Sequence, residues 1–261
     1  MGKRKYWVTV CISLLLLQGC SKGINRQLDT EHGMEPYKAS LQQAFKDMPE
    51  KEQRAYDWAV SDFNLERLHA LYPNKTPQTI IRAERDKIIA DVPPRLAKLA
   101  PAKTGYEAAY ADLLKVQAVD ARFVMEKDFF GLQPTIVATI QNGSKHDLSS
   151  VDFTAKLYVD DRTEPVAQSR LFSNYNNDSG KSTGLRQGES IAMRFRVGFV
   201  SGDASWKTVE IQQARKTRVE LTVLPGSAKD KGNRALLDEN AAKQFKALED
   251  ALATAKSYAD I

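Results

Sequence analysis

The sequence predicts an α+β protein: an N-terminal helical domain, an Ig-like antiparallel β-sandwich, and a C-terminal helix. In the first half, apolar residues recur at helical spacing, as Leu41 and Phe45 do four residues apart. Beyond residue 117 the spacing changes to strict alternation, most clearly in residues 153–159 and 191–199. Alternation of this kind indicates strands with one buried and one solvated face. Several short strands in succession favour a sandwich of two sheets.

The helical domain, residues 35–116, is divided by proline and capping residues. Pro49, followed by acidic residues, opens a second helix because proline and negative charge both suit a first turn. Thr76 suits an N-cap and Pro77 the first helical position, so a helix is predicted from there to about Asp91. We expect Pro93-Pro94 to end it and a short helix over 106–116 to close the domain.

The sandwich domain, residues 117–226, also contains residues 219–223 as an alternating stretch, with turns at Asn142-Gly143 and within 174–184. Pro225-Gly226 and the polar run after it predict a linker, which begins the last segment, residues 227–261. Leu237 to Ala255 then form an amphipathic pattern. We expect that helix to dock on the body of the protein; the alternative is a partner-binding helix.

The first twenty residues have the layout of a secretory signal. Basic residues 3–5 precede a short apolar run, 8–17, which ends just before Gly19 and Cys20. The run is well short of the ~20 residues that a membrane-spanning helix needs. The alternative is an uncleaved N-terminal anchor.

This segment resembles the lipobox of bacterial lipoproteins, except that Gln18 stands where a small residue is usual. The resemblance implies cleavage of a signal peptide, residues 1–19, and attachment of lipid, palmitate among the acyl groups, to Cys20. It implies a membrane partner through that lipid and a location on the periplasmic face of the outer membrane. Residues 20–34 are polar and glycine-bearing, and are predicted to be a tether between lipid and fold.

Two further resemblances cover parts of the mature chain. Residues 40–48, 50–59 and 74–81, the last with the run Asn-Lys-Thr-Pro-Gln-Thr-Ile-Ile, resemble a family of uncharacterised bacterial lipoproteins. Residues 153–160, Phe-Thr-Ala-Lys-Leu-Tyr-Val-Asp, and later 185–190 resemble the small bacterial β-sandwich domains called FxLYD. This second resemblance implies an Ig-like fold, which by itself says little about function.

Charge and residue types exclude several classes of function. Removal of the three basic residues of the predicted signal lowers the formal charge from +5 to +2, which gives no reason to expect nucleic-acid binding. With Cys20 lipidated, the mature chain has no thiol for catalysis or metal binding. Glu66 and His69 lie one helical turn apart, but we interpret them as part of a solvated face. The sequence predicts no cofactor and no metal, and it shows no nucleophile and base arranged for catalysis.

We therefore expect a non-enzymatic envelope interaction or structural module. Arg194, Arg196 and Arg218 alternate outward on predicted strands, and would form a basic partner surface if those strands are neighbours. An envelope protein is the expected partner. The alternative is a small-molecule or lipid-binding lipoprotein, with a pocket between the helical and β parts.

Overall fold

The computed structural model describes residues 23–129, 131–175, 184–198 and 204–261. Within them the helices are α1 (Met34–Lys46), α2 (Glu50–Val60), α3 (Leu65–Leu71), α4 (Pro77–Leu113), α5 (Val209–Gln213) and α6 (Glu239–Ser257). The strands are β1 (Val116–Asp128), β2 (Gly131–Asn142), β3 (Ser150–Val159), β4 (Ala167–Leu171), β5 (Ser190–Arg196) and β6 (Thr217–Lys229). The combination of helices and antiparallel sheets confirms the α+β class.

The described chain forms two compact units. The first contains residues up to Pro93 together with Glu249–Ile261, and the second is Pro94–Leu248. The sequence-based domain boundaries, at 116/117 and 226/227, differ from this division. The second half of α4 belongs with the strands because Tyr106, Ala109 and Leu113 pack in the same apolar cluster as the sheets.

Local sequence explains how two of the helices begin. The side-chain oxygen of Asn64 accepts a hydrogen bond from the N–H of Arg67 at 2.8 Å, which caps α3. Thr76 Oγ1 accepts a hydrogen bond from the N–H of Thr79 at 3.2 Å, and Pro77 is the first residue of α4. Such caps satisfy N–H groups that a first helical turn leaves without a partner. The predicted start of α4 is confirmed.

The predicted end of that helix is wrong. Helix α4 continues through Pro93-Pro94 and Pro101 to Leu113, so it spans both the predicted break and the predicted short helix. The three prolines are exposed, whereas Val92, beside the first of them, is 4% exposed. A proline inside a helix costs ~3 kcal/mol through a lost hydrogen bond and a steric clash. Burial of apolar side chains along the helix offsets that cost.

The described part of the predicted tether, residues 23–34, belongs to the first unit. Ile24 is 6% exposed, and Leu28 is completely buried in the apolar cluster formed by α1–α4. The N–H of Leu28 donates to the carbonyl of Lys75 at 3.1 Å, and the N–H of Asp29 donates to Ser40 Oγ at 3.0 Å. Two buried apolar residues, four apart in an otherwise polar stretch, therefore hold this segment against the first unit.

The C-terminal segment completes the first unit. Ile261 is 7% exposed, and its carbonyl accepts hydrogen bonds from Gln78 Nε2 at 2.9 Å and Arg82 Nε at 3.0 Å. The rings of Trp58 and Tyr258 lie 5.3 Å apart between centroids. The end of the chain is thus fixed against α2 and α4.

In the part of the second unit that the structure describes, there are two antiparallel sheets of three strands. Their strand orders are β1-β2-β5 and β4-β3-β6. Alternate residues of both sheets belong to one apolar cluster: Ile136, Ala138 and Ile140 from β2, and Phe153, Ala155 and Leu157 from β3. Strand β1 of the first sheet lies beside β6 of the second. The alternation predicted for residues 153–159 is confirmed by the complete burial of Phe153 and Leu157.

Strand β6 continues through the stretch predicted to be a linker. It includes Pro225 and Gly226 and ends at Lys229. Proline is tolerated there because β6 is the outer strand of its sheet, where one row of N–H groups is not needed for pairing. The β3–β6 register shifts close to this point, and Ser227 Oγ accepts a hydrogen bond from the N–H of Asp152 at 2.7 Å. Proline and glycine here mark a bulge within a strand.

Candidate functional site

A cleft separates the outer strands β4 and β5 of the two sheets in the second unit. Its volume is about 450 Å³, and residues 169–172 and 193–198 line it. Among the described strands, β4 pairs with β3 and β5 pairs with β2. Each strand therefore lies at the outer edge of its sheet, next to the cleft. The backbone of such an edge strand can pair with a strand of another chain.

Among the described residues, the charged side chains that line the cleft are arginines: Arg170, Arg194 and Arg196. Arg170 Nε and Nη2 both donate to one oxygen of Asp152, at 2.9 and 2.6 Å, while its side chain stays 55% exposed. Arg194 is paired with Glu126 and is 62% exposed. Both arginine side chains stay more than half exposed and have further N–H donors, so they are able to bind additional carboxylates.

An exposed aromatic ring stands at the same place. Phe172 follows β4 directly and is 74% exposed, and the guanidinium carbon of Arg170 lies 5.4 Å from its ring centroid. A hydrogen bond fixes Ser169 in the cleft wall: the buried Trp206 donates its Nε1–H to Ser169 Oγ at 2.7 Å. An exposed phenylalanine beside arginines on a fixed strand is typical of an interaction surface.

The structure brings together two of the three arginines that the sequence indicated. Arg194 and Arg196 are both on β5, whereas Arg218 is on β6 in the other sheet, so the three do not lie on neighbouring strands. The Arg218 guanidinium carbon lies 3.9 Å from the ring centroid of Tyr158, and its side chain is paired with Glu220. Cys20 lies outside the described residues.

Sequence reasoning missed Arg170 and Phe172. Arg170 and Phe172 flank the buried Leu171, so the three residues follow the alternating exposure of a strand. Their position beside β5 depends on the packing of two sheets and has no local signal. Both residues also line a neighbouring polar depression of about 680 Å³, whose other walls include Ser150, Ser173 and Lys229.

The first unit contains a separate, apolar groove of about 420 Å³ between α1, α2 and α3. Its walls are Leu41, Phe45, Tyr56, Val60, Phe63, Leu65 and Leu68, and its polar members are Gln42, Lys46, Asp57 and Asn64. The walls Leu41, Phe45, Val60, Phe63 and Leu65 are only partly buried. The groove has the size and apolar lining of a small-ligand site.

Buried polar atoms lie close to this groove. Tyr56 is 3% exposed and lines the groove, and its hydroxyl interacts with that of Tyr37; His69 Nε2 is buried without a hydrogen-bond partner among the described residues. Burial raises the pKa of Tyr56 far above its usual range and that of Tyr37 in the same direction. The rings of His69 and Tyr37 meet edge to face at 5.0 Å between centroids, so His69 is partly buried against α1, whereas Glu66 is exposed.

The other histidines lie in loops. His32 Nδ1 is 2.9 Å from Asp29 Oδ1, and this hydrogen bond raises the pKa of His32. His146 Nε2 lies 3.9 Å from Asp112 Oδ2. Within the described ranges, no three His, Cys, Asp or Glu side chains converge as a metal site. In the same part of the chain, no helix has both the length and the apolar character needed to cross a bilayer.

Comparison of the chain with protein families, with curated proteins and with solved structures found no match.

Proposed function

We propose that this chain is a lipoprotein anchored through Cys20 to the periplasmic face of the outer membrane, where it acts as an interaction module without catalysis. Support for the anchor comes from the basic start, the short apolar run, and the Gly19-Cys20 pair that ends it. A lipid with two or more acyl chains would hold the protein stably at the membrane. The partly polar residues after Cys20 connect this anchor to the first unit.

The second unit, in this proposal, is an Ig-like β-sandwich related to FxLYD domains. Two antiparallel sheets contribute alternate residues to one apolar cluster, and β1 lies beside β6 at one margin. The β4–β5 cleft then marks the opposite margin of the sandwich. Sandwich domains commonly use such margins and strand edges for recognition.

The observation that carries the interaction function is the β4–β5 cleft. It combines three arginines, an exposed phenylalanine and two strand edges. A partner that complements it is an extended, acidic segment of an envelope protein. Its backbone would pair with a strand edge, its carboxylates would bind the guanidinium groups, and an apolar side chain would cover Phe172.

The test is cross-linking of the lipidated protein in intact cells, followed by identification of the proteins that co-purify. We expect one dominant partner, and we expect its yield to fall at least tenfold in the double variant Arg194→Glu with Arg196→Glu, because the variant repels an acidic segment.

The matched control is Arg215→Glu with Arg218→Glu, which changes the net charge equally but lies away from the cleft. This control should keep the partner. Equal loss in both double variants would show that overall charge, and not the cleft, determines binding. No specific partner from correctly lipidated protein would contradict the interaction function.

The apolar groove favours a second candidate, a lipoprotein that binds a small molecule or a lipid. Its volume of about 420 Å³ and its apolar walls would suit an aliphatic ligand. Native mass spectrometry of the purified chain tests this candidate, which predicts a ligand of fixed mass retained on the first unit.

A further inference from the structure

The polar depression beside the β4–β5 cleft lies on the outer face of the second sheet, and its volume is about 680 Å³. Four antiparallel segments cross beneath it, joined by the pairs Asn174–Ser150, Ser150–Lys229 and Lys229–Ala235. Residues that are directly opposite in such pairs point to the same face of a sheet. All four of these residues line the depression, so together they form its floor.

An aromatic ring and an ion pair lie on the same face as this floor. Arg170 and Phe172 point outward because they flank the buried Leu171. Asp152 also points outward, since it alternates with Phe153 of the apolar cluster. All three outward residues line the depression. An exposed phenylalanine therefore stands beside an arginine and a carboxylate, next to a polar floor.

Several polar groups of the depression have no partner within the described part of the chain. Ser150 Oγ, Lys229 Nζ and the side-chain amide of Asn233 form no hydrogen bond or ion pair there. Both hydrogen bonds from Arg170 go to Asp152 Oδ2, which leaves Asp152 Oδ1 as an acceptor and Arg170 Nη1 as a donor. Donors and acceptors thus lie side by side, as the recognition of a polar ligand requires.

A sugar ring matches this combination of groups. Adjacent sugar hydroxyls both donate and accept hydrogen bonds, so they can bind a guanidinium and a carboxylate that lie next to each other. The C–H face of the same ring is apolar and can stack on the exposed ring of Phe172. A long hydrocarbon chain fits less well, because Phe172 is the one large apolar side chain among the described lining residues. A phosphate group would be repelled by Asp152.

The charge of the depression indicates which kind of sugar it suits. The described charged side chains in its lining are Arg170, Lys229 and Asp152. Asp152 is paired with Arg170, so among the described residues the ammonium group of Lys229 has no counter-ion. A ligand with one carboxylate would supply that counter-ion.

We propose that the polar depression binds a saccharide that carries a carboxylate. Its ring stacks on Phe172, its hydroxyls bind Asp152 and Arg170, and its carboxylate pairs with Lys229. This inference goes beyond the proposed function, because it requires neither the lipid on Cys20 nor a protein partner.

The experiment titrates the purified full chain with two disaccharides and follows binding by ligand-observed NMR. The first is N-acetylglucosaminyl-N-acetylmuramic acid, which carries a carboxylate. The second is N,N′-diacetylchitobiose, which is the same disaccharide without the lactyl group. We expect the dissociation constant of the acidic disaccharide to be lower by about fivefold or more, because it gains the ion pair with Lys229.

Two variants test the proposed contacts. Phe172→Ala should weaken the binding of both disaccharides by about tenfold, because the stacking surface is lost, whereas Phe172→Trp should retain both. Lys229→Gln should bind the acidic disaccharide no better than the neutral one, and its affinity for the neutral one should be unchanged. Circular dichroism of each variant establishes that the fold is retained.

Each variant has a matched control outside the depression. Phe129→Ala removes a ring that is 95% exposed and does not line the depression. Lys156→Gln removes a lysine that alternates with the buried Ala155 and Leu157 of β3, and so lies on the same face as the depression but outside it. Both controls should bind the two disaccharides as the parent chain does.

Failure to bind either disaccharide would overturn the inference, and so would equal affinity for the two. Lactate bound as tightly as the acidic disaccharide would show a site for small anions, and would also overturn it. The double variant Arg194→Glu with Arg196→Glu, which impairs the β4–β5 cleft, should bind both disaccharides as the parent chain does. Loss of saccharide binding in that variant would assign the sugar to the cleft and not to the depression. Saccharide binding without a protein partner, or the reverse, separates this inference from the proposed function.

Discussion

At the scale of single residues, Asn142 shows how a turn residue can organise its surroundings. The Asn-Gly pair predicted a turn, and the structure places it at the end of β2. The side chain of Asn142 is 1% exposed; its Nδ2 donates to the carbonyls of His146 at 2.7 Å and Leu185 at 3.0 Å. Its Oδ1 accepts from the N–H and the hydroxyl of Ser144, at 3.1 and 2.7 Å. One amide thus fixes the turn after β2 and joins it to Leu185, 43 residues away along the chain.

Replacement of Asn142 by alanine should lower the free energy of unfolding by about 2 kcal/mol, because it leaves buried donors and acceptors without partners. Urea denaturation measures this change. Gln141→Ala, on the exposed position beside it in β2, is the control and should have little effect. Equal effects of the two substitutions would mean that the Asn142 network does not stabilise the unit.

Asp112 predicts a pH dependence of stability. A hydrogen bond from Lys115 Nζ at 2.9 Å, then one from the N–H of Lys145 at 2.9 Å, hold the pKa of Asp112 below its ordinary value. The ionised form is therefore favoured by folding, so its stabilisation is complete above about pH 4 and is lost as the pH falls through the lowered pKa.

Asp112→Asn should lower the free energy of unfolding by about 2 kcal/mol at pH 7, and the difference from the parent chain should shrink below pH 4. Denaturant titrations at pH 7, 5 and 3 measure it. Asp161→Asn, at an exposed position of the same unit, should show no such trend. A constant difference at all three pH values would contradict the assignment.

At the scale of elements, periodicity predicted the type of most segments, whereas proline and glycine misled in two places. Pro93-Pro94 lies inside α4, and Pro225-Gly226 lies inside β6. In both cases packing over the whole element outweighs a local preference. Ile24 and Leu28 were missed for the opposite reason, since two buried residues in a polar stretch produce no periodic signal.

Removal of residues 258–261 should destabilise the first unit by about 3 kcal/mol, because it exposes the surface covered by Ile261 and leaves Gln78 and Arg82 without their carbonyl acceptor. Thermal unfolding followed by circular dichroism measures the effect. Asp260→Asn breaks only the exposed ion pair with Lys51 and should leave the midpoint unchanged. A midpoint unchanged by the truncation would exclude a stabilising role for this segment.

The candidate site was only half predictable, because it is assembled at the scale of tertiary packing. The alternating pattern of the sequence predicts that Arg194 and Arg196 point outward on one strand. Which strand lies across from them is decided by sheet order, and β4, not β6, occupies that place. The sequence therefore could not predict that Arg170 and Phe172 line the cleft, or that Arg218 lies away from it.

At the scale of the whole molecule, the proposed anchor makes a prediction about two cysteines. Cells given an alkyne analogue of palmitate should label the parent chain and the Cys11→Ser chain, because Cys11 leaves with the predicted signal. Cys20→Ser should remove the label completely and block the change in mass that accompanies cleavage. Gel fluorescence and intact mass measure both results. Label that persists in Cys20→Ser would contradict attachment at this residue.

If Cys20 carries the proposed lipid, the burial of Ile24 and Leu28 also sets how far from the membrane the first unit could work. Only Ser21 and Lys22 separate Cys20 from the first described residue, so the first unit would stay within about 10 Å of the bilayer at that point. Its encounters would then be confined to a thin layer, in which neighbouring membrane-anchored proteins have a high effective concentration. A surface of the first unit that binds a soluble partner only weakly could therefore be well occupied by a partner anchored in the same membrane.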